Sequence, residues 1–284
     1  MRIMTDSREK QISAIDTFRS LHTSGCFVLP NPWDLGSAVY LEHLGFRALA
    51  TTSAGFAFSQ GLPDGVSAVS LEATLRHFRE VVQATSLPVN ADFQNCYADQ
   101  PDDVEKNVRL CVATGVAGLS IEDSTGNNQT PLYERELAIE RVRAARTAID
   151  KSGLPVVLTA RCEAWLVRHP EVPSIALDRL AAYADAGADC LYAPGVGEAE
   201  DIAAIVKAVA PKPVNVLVSS PGHDLTMERL TKLGVRRVSV GGALARVAWA
   251  AFMRAARGLA SGSFEGLTDA ASSAELNQIF SRRQ

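Results

Sequence analysis

Three apolar runs of this sequence each end on a charged residue, at Asp92, Glu122 and Arg161. Carboxylates are the hard oxygen ligands that suit a cation such as Mg²⁺, and the planar guanidinium of arginine suits a carboxylate. If the runs are successive strands of a parallel barrel, their ends meet at one face. The three residue types therefore predict a site that binds a divalent cation and an anion.

Two further residues are candidates for the same cation. Gln94 follows Asp92 by two positions, so strand alternation directs both side chains to the same side, and Gln94 would reach a cation through water. Asp64 lies in a Pro-Asp-Gly segment, where it would orient a metal-bound water or hold a turn. Both interpretations of Asp64 stay open at this stage.

The loops that follow the first two strand-like runs of the sequence offer groups that could contact a ligand. Trp33 would form one wall of a small pocket, and Asp34 is expected to cap the helix that follows it. Ser53, Ala54 and Gly55 form a small polar segment whose backbone N–H groups would bind an oxyanion, or would only make a tight turn.

The elements that must position these residues alternate regularly. Eight strand-like runs are separated by amphipathic helical segments. They cover 26–29, 48–52, 88–92, 118–122, 155–161, 190–193, 213–217 and 237–240. This order predicts a (β/α)8 barrel. A doubly wound sheet is the alternative, which the absence of a GxGxxG motif after the first strand disfavours.

We expect one barrel domain over residues 1–255, with an extra helix at about residues 8–22 over its N-terminal end, and a helical tail over residues 256–284. At 284 residues the chain has the length of one such barrel.

Composition disfavours several classes of partner. The net charge is −4, no basic block is present, and no apolar run approaches the roughly 20 residues of a membrane helix. We therefore expect no nucleic-acid or membrane partner and a cytoplasmic location. The five cysteines show no CxxC spacing, which predicts buried thiols rather than disulfides or a zinc site.

The pattern of Trp33, Ser53 to Gly55, Asp64, Asp92, Ile121-Glu-Asp123 and Ala160-Arg-Cys-Glu-Ala164 resembles the isocitrate lyase and phosphoenolpyruvate mutase superfamily. The resemblance implies that Asp92 binds Mg²⁺ or Mn²⁺, with help through waters from Asp64 and Glu122. It also implies that Arg161 holds a substrate carboxylate and that Ser53 to Gly55 bind the oxyanion.

Loop four, the segment that follows the fourth expected strand, differs from the corresponding loop of the lyases of this superfamily. They carry a Lys-Lys/Arg-Cys-Gly-His segment whose thiol protonates the departing enolate, whereas Ser124 to Tyr133 contains no cysteine, lysine or histidine. The phosphono enzymes use asparagine or threonine there. The resemblance therefore makes Asn127, Asn128 and Thr130 candidate catalytic residues. Two other differences are Gln94 in place of an acid and Tyr192-Ala-Pro in place of a histidine after strand six.

The resemblance implies a Mg²⁺-dependent lyase, decarboxylase or hydrolase. Its substrate would be a small α-keto or α-hydroxy dicarboxylate, of the oxaloacetate or substituted malate type, cleaved through an enolpyruvate-like intermediate. A phosphonopyruvate hydrolase or mutase and a non-catalytic, metal-dependent keto-acid binding protein are the alternatives. The proton would come from water, Tyr97 or Cys96.

The superfamily commonly forms homotetramers in which the eighth helix is exchanged between subunits. The apolar stretch from Val247 to Met253 suits such packing.

Overall fold

The computed structural model describes residues 2–222 and 224–281, so His223, in the loop after the seventh expected strand, lies outside them. Within the described residues eight parallel strands pair in the order β1-β8-β7-β6-β5-β4-β3-β2. They are β1 (Phe27–Leu29), β2 (Leu49–Ala50), β3 (Val89–Asp92), β4 (Gly118–Glu122), β5 (Val157–Arg161), β6 (Cys190–Tyr192), β7 (Val214–Leu217) and β8 (Arg237–Ser239).

The ring of strands closes between β2 and the end of β1, where the Ala50 N–H donates to the carbonyl of Pro30 at 3.0 Å. The predicted (β/α)8 barrel is therefore confirmed, and the doubly wound alternative is wrong because the strands follow chain order around a closed ring. Each expected strand agrees with the observed one to within two residues at either end.

Helices alternate with the strands and surround them. They are α1 (Arg2–Leu21), α2 (Leu35–His43), α3 (Ser53–Ser59), α4 (Leu71–Gln83), α5 (Pro101–Val112), α6 (Arg135–Ser152), α7 (Ser174–Asp185), α8 (Ala199–Val209), α9 (Met227–Lys232), α10 (Ala243–Ala260) and α11 (Ser273–Ser281). A single 3-10 turn, Glu265–Leu267, precedes α11. No helix in the described residues is long and apolar enough to cross a membrane.

Local signals in the sequence determine where several helices begin. Asp34 caps α2 as expected, because its carboxylate accepts the N–H of Ser37 at 2.7 Å while the Ser37 hydroxyl accepts the Asp34 N–H. Thr52 caps α3 in the same way, by accepting the N–H of Gly55. The segment expected to be a small polar loop at Ser53 is therefore the first turn of a helix.

Helix α1 covers the N-terminal end of the barrel, as expected, and begins earlier than residue 8. Its Ile15 and Phe18 are fully buried. A Cβ on Gly118 at the start of β4 would lie 2.6 Å from a ring carbon of Phe18, so only glycine lets this helix approach the strand so closely. The chain therefore closes the barrel at the end opposite to the charged strand ends.

The middle of the barrel is polar. Arg237 of β8 donates to Thr159 of β5 at 3.0 Å and to Asn215 of β7 at 2.8 Å. Since β8 and β5 are not neighbours in the ring, the contact to Thr159 crosses the barrel interior. All three side chains are buried. The interior below the charged strand ends is thus built from hydrogen-bonded groups rather than from stacked aliphatic residues.

The C-terminal helices lie outside the barrel wall. Ala245 is the one buried residue of α10, whereas Val247 is 68% exposed and Phe252 is 61% exposed. Helix α11 returns to α2, where the Phe280 ring lies 3.7 Å from the Cβ position of Gly36. The expected boundary at residue 255 falls inside α10, and the division into a barrel and a tail stays a prediction.

Candidate active site

Arg161, the last residue of β5, holds three carboxylates together. Its Nη1 lies 2.7 Å from Asp92 Oδ1, its Nη2 3.3 Å from Glu122 Oε2 and its Nε 2.9 Å from Glu163 Oε1. Asp92 ends β3 and Glu122 ends β4, so three consecutive strands deliver these groups to one point, as the sequence predicts. Arg161 therefore forms internal salt bridges with all three carboxylates.

Asp92 is held in a fixed orientation by the neighbouring loop. Its Oδ2 accepts the N–H of Ser53 at 2.8 Å and the hydroxyl of Ser53 at 2.9 Å, while its own N–H donates to Thr51 Oγ1. A carboxylate has about four lone-pair directions, and these contacts together with Arg161 occupy three of them. One direction is left for a further ligand.

The cluster carries more negative than positive charge, because three carboxylates share one guanidinium. Burial raises the pKa of Glu122 well above its usual range, against the opposing effect of Arg161, and burial likewise raises the pKa of Glu163. Burial would lower the pKa of Arg161, but Glu163, Glu122 and Asp92 together raise it well above its ordinary value. Bringing a cation to this cluster would relieve the repulsion among its carboxylates.

A cavity of about 180 Å³ opens beside this cluster and reaches into the barrel. The side chains that line it come from all eight strands and from the loops that follow them. Among them are Leu29, Asn31, Ala50, Ser53, Ala54, Asp64, Asn90, Asp92, Ser120, Arg161, Tyr192, Asn215, Leu217, Arg237 and Ser239. At about 30 Å³ per water molecule it holds roughly six waters, which limits a ligand to a small acid.

Asp64 and Gln94 differ in how they relate to the cavity. Asp64 lines it, and partial burial together with the nearby charge of Asp92 raises the pKa of Asp64. Gln94 instead donates to the carbonyl of Gly65 at 3.1 Å and accepts the N–H of Ser67 at 3.2 Å. The amide of Gln94 thus supports the loop that carries Asp64, and its expected contact with a cation through water stays a prediction.

The segment Ser53 to Gly55 is less open to a ligand than the sequence suggests. The Ser53 N–H already donates to Asp92 and the Gly55 N–H to Thr52. Ala54 lines the cavity, and no hydrogen bond from its N–H is found within the described chain. Trp33 packs beside this segment, with its Cβ 2.8 Å from the position that a Cβ on Gly55 would take. Trp33 is not among the residues that line the cavity.

Loop four forms a short hairpin at the surface. An antiparallel bridge joins Ser124 to Leu132, and the Thr125 hydroxyl donates to the carbonyl of Thr130 at 2.6 Å. Asn128 and Thr130 are exposed and do not line the cavity. Gly126 at the tip packs against Val66, so the hairpin touches the loop that carries Asp64. A catalytic role for Asn128 and Thr130 stays a prediction.

Two other groups considered as proton sources lie away from the cavity. Cys96 is fully buried, and burial raises the pKa of its thiol to about 12. The Tyr97 hydroxyl is 2.7 Å from Thr74 Oγ1, and burial raises its pKa to about 12 as well. None of the five cysteines is paired, and four of them are buried, as expected for thiols that serve packing.

Asp123 supports the site indirectly, through its hydrogen bond to the backbone of Glu163. It is buried and accepts hydrogen bonds from Arg179 at 3.1 Å and from Tyr183 at 2.7 Å, both on α7. Its other oxygen accepts the N–H of Glu163 at 2.8 Å. Asp123 thereby holds the backbone of Glu163, which in turn contacts Arg161.

Sequence reasoning missed the cavity residues contributed by β6, β7 and β8. Tyr192, Asn215, Arg237 and Ser239 line the cavity alongside the residues that the sequence singled out. The signal that could have found them is the polar residues at alternating positions within short apolar runs, as at Arg237 and Ser239.

The donor set fits a divalent cation that keeps several of its waters. In the described part of the chain no three acidic, histidine or cysteine side chains converge closely enough to ligate one ion directly. Mg²⁺ is commonly bound by one or two carboxylates and retained waters. Asp92 with one free lone-pair direction, Glu122 in a cluster with excess negative charge, and Asp64 at the cavity wall match that mode.

Comparisons with known proteins identify relatives of this chain. Residues 18–260 match the family model described as phosphoenolpyruvate phosphomutase. A crystal structure from Burkholderia cenocepacia J2315, provisionally assigned as a lyase/mutase, is 45% identical with a TM-score of 0.91, covering 96% of this chain and 97% of that chain.

Two further relatives have named activities. An oxaloacetate decarboxylase of Pseudomonas fluorescens (strain SBW25) is 29% identical, over 79% of this chain and 77% of that protein. A structure of oxaloacetate acetylhydrolase with the product oxalate is 26% identical with a TM-score of 0.84, covering 94% of each chain. The chain therefore belongs to the phosphoenolpyruvate phosphomutase family, within the isocitrate lyase/phosphoenolpyruvate mutase superfamily of enzymes.

Proposed function

We propose that this protein is a Mg²⁺- or Mn²⁺-dependent lyase that breaks a C–C bond of a small α-keto or α-hydroxy dicarboxylate of the oxaloacetate or substituted malate type. The observation that carries the proposal is the buried cluster in which three carboxylates share Arg161 beside a cavity of about 180 Å³. The names of two relatives, an oxaloacetate decarboxylase and an oxaloacetate acetylhydrolase, support this substrate class.

Asp92 would hold the cation, and Glu122 and Asp64 would hold waters bound to it. When bound, the cation would chelate the oxo-acid and stabilise the negative charge that develops as the C–C bond breaks. Ser53 keeps Asp92 oriented through two hydrogen bonds. The carboxylate is thus positioned before a ligand arrives, so it need not reorganise during the reaction.

Arg161 would hold the carboxylate next to the oxo group. Three of its five N–H groups contact Asp92, Glu122 and Glu163, which leaves two for a substrate. The N–H of Ala54 would donate to the same end of the ligand from the first turn of α3. These donors orient the substrate so that its scissile bond lies within the cavity.

A proton must reach the enolate carbon after bond cleavage, and water is the source that we propose. Tyr97 and Cys96 lie outside the cavity and have raised pKa values. The hairpin with Asn128 and Thr130 would move toward the cavity to control the entry of that water. Decarboxylation suits this arrangement, since it requires no thiol in loop four.

A turnover assay with chelator-treated protein tests the proposal. We expect oxaloacetate or a substituted malate to be consumed only after Mg²⁺ or Mn²⁺ is restored. Oxaloacetate would give pyruvate and CO₂, or with water oxalate and acetate, and a substituted malate would give a 2-oxo acid and a monocarboxylate. Because free divalent cations also decarboxylate oxaloacetate slowly, the Asp92→Asn protein at equal concentration serves as the blank. Phosphonopyruvate, with phosphate release as the readout, is assayed in parallel.

The outcomes of this assay separate the alternatives. Phosphate release from phosphonopyruvate with no reaction of the carboxylates would replace the C–C lyase by a P–C bond enzyme. Calorimetric binding of pyruvate or oxaloacetate without any product would replace it by a keto-acid binding protein. Either result would contradict the proposal.

We also propose that the protein forms a homotetramer in which α10 packs on a neighbouring subunit. The apolar side chains Val247, Trp249, Phe252 and Met253 of this helix are exposed, and large exposed apolar patches mark association sites. Light scattering should give a mass of about four times 30.3 kDa, and Phe252→Glu should lower it. A mass of one chain for the unaltered protein would contradict the proposal.

A further inference from the structure

A buried arginine in the barrel interior is not used by the proposed chemistry. Arg237 is 2% exposed, yet it lines the same cavity as Asp92 and Arg161. It stands on β8, three strands away from Arg161 on β5 in a ring of eight, so the two guanidinium groups approach the cavity from nearly opposite sides.

The hydrogen-bond partners of Arg237 are neutral. Its Nε donates to Asn215 Oδ1 at 2.8 Å and its Nη2 to Thr159 Oγ1 at 3.0 Å, and its Nη1 lies 3.3 Å from His22 Nε2. Within the described chain no carboxylate lies within ion-pair distance of this guanidinium. The arginine is therefore oriented on three sides but its charge is not compensated.

His22 supports Arg237 from the N-terminal end of the barrel. Its Nδ1 lies 2.7 Å from the carbonyl of Phe18, which fixes the proton on Nδ1 and leaves Nε2 as the acceptor for Arg237. Burial, together with the charge of Arg237, lowers the pKa of His22 to about 3. The imidazole is therefore neutral and adds no negative charge.

A second buried arginine shows how such a charge can be satisfied without a carboxylate. Arg141 donates to the carbonyls of Asn95, Ala98 and Asp99, and its guanidinium lies 3.9 Å from the centre of the Tyr133 ring. Arg141 does not line the cavity. Among the residues that the structure describes, no aromatic ring lies over the face of Arg237 as one does over Arg141. Arg237 borders open space, where an anion would compensate its charge.

The cavity beside Arg237 has another unused polar group. Asn90 is 4% exposed and lines the cavity, and no hydrogen bond to its Oδ1 is found in the described chain. This oxygen is enclosed, because it lies 2.7 Å from the position that a Cβ on Gly118 would take at the start of β4. Of the two groups it is therefore Arg237 whose charge an anion in the cavity would compensate.

We propose that Arg237 is a second anion-binding position of this cavity, which holds the distal carboxylate of a small dicarboxylate whose first carboxylate lies at Arg161. Asn215, Thr159 and His22 orient its guanidinium for this contact. The proposal rests on the proposed function for the identity of the ligand as the substrate, and it makes Arg237 the residue that selects dicarboxylates over monocarboxylates.

The test uses two unreactive probes and two variants outside the cavity. Malonate carries two carboxylates, and in malonamate a neutral amide of similar size replaces one of them. His22→Glu places a carboxylate against Arg237 from outside the cavity, and His22→Gln has the same shape without the charge. Binding is measured by calorimetry in metal-free buffer, with folding checked by circular dichroism.

We expect the unaltered protein and His22→Gln to bind malonate roughly 10- to 100-fold more tightly than malonamate, the range for one charge-assisted hydrogen-bonding contact. His22→Glu should lose this preference because the new carboxylate pairs with Arg237, while its affinity for malonamate stays close to that of His22→Gln. Arg237→Met should lose the preference as well. If Arg237→Met fails to fold, the comparison of His22→Glu with His22→Gln still tests the proposal.

Three results would overturn the proposal. They are equal affinity of the unaltered protein for both probes, an unchanged preference in His22→Glu, and an equal loss of affinity for both probes in that variant. Because neither probe reacts and no metal is present, a protein without turnover of any oxo-acid would still give a readable result. Failure of the proposed function is thereby distinguished from failure of this inference.

Discussion

Replacing Asp92 by Asn should lower metal-dependent turnover by about a thousandfold or more. The substitution keeps the shape of the side chain but removes the charge that would bind the cation, and a loss of roughly 4 kcal/mol of transition-state stabilisation corresponds to that factor. Calorimetric titration with Mg²⁺ or Mn²⁺ should show weakened binding in parallel. The fold should persist, because Glu122 and Glu163 still pair with Arg161.

The matched control for this change is Asp103→Asn. Asp103 lies in the first turn of α5 and pairs with Lys106 at 2.8 Å on the surface, so the same chemical change there should leave turnover and metal binding unaltered. Full turnover in the Asp92→Asn protein would rule out Asp92 as the metal ligand.

Arg161→Met should have the largest effect on stability. It leaves three carboxylates buried without their shared cation, and breaking a buried ion pair typically costs about 3–5 kcal/mol. For a chain of this length the melting temperature should fall by on the order of 10 °C. Substrate binding should be lost as well, since the carboxylate would have no guanidinium to contact.

The stability deficit of Arg161→Met should depend on pH. Without the arginine, the already raised pKa values of Glu122 and Glu163 rise further, so the folded protein holds protons that the unfolded chain has released near neutral pH. Stability of the variant then increases as pH falls from 8 towards 5, because the folded state binds protons over that range and the unfolded chain, whose glutamates keep an ordinary pKa, binds few. The difference in melting temperature from the unaltered protein should therefore shrink over that range.

Arg135→Met is the control for this change. Arg135 pairs with Asp178 through two hydrogen bonds of 2.6 and 3.0 Å, but its side chain is 43% exposed. Exposed pairs contribute about 0–1 kcal/mol, so this variant should melt close to the unaltered protein at every pH. Equal melting temperatures for Arg161→Met and the unaltered protein would show that the cluster contributes nothing to folding.

The outline of the site followed from local signals in the sequence. Alternating strand and helix patterns predict a closed parallel barrel, and in that architecture every strand end lies at one face. That inference alone placed Asp92, Glu122 and Arg161 together, as the structure confirms. The capping role of Asp34 was also predictable, because it depends only on residues within one helical turn.

What each group contacts depended on tertiary structure. Gln94 supports the loop of Asp64, and Asp123 binds buried groups on α7. These contacts join residues 27 to 60 positions apart in the chain, so no local pattern encodes them. The same limit applies to the hydrogen bonds that Ser53 donates to Asp92.

The sequence by itself therefore determined the barrel and the convergence of Arg161 with Asp92 and Glu122, because the period of the apolar residues and the parallel topology suffice for both. Tertiary structure decided which groups face the cavity. Arg237 appears in the sequence as one more arginine in a short strand. Only the closed ring, with Thr159, Asn215 and His22 around it, makes Arg237 a buried charge beside open space.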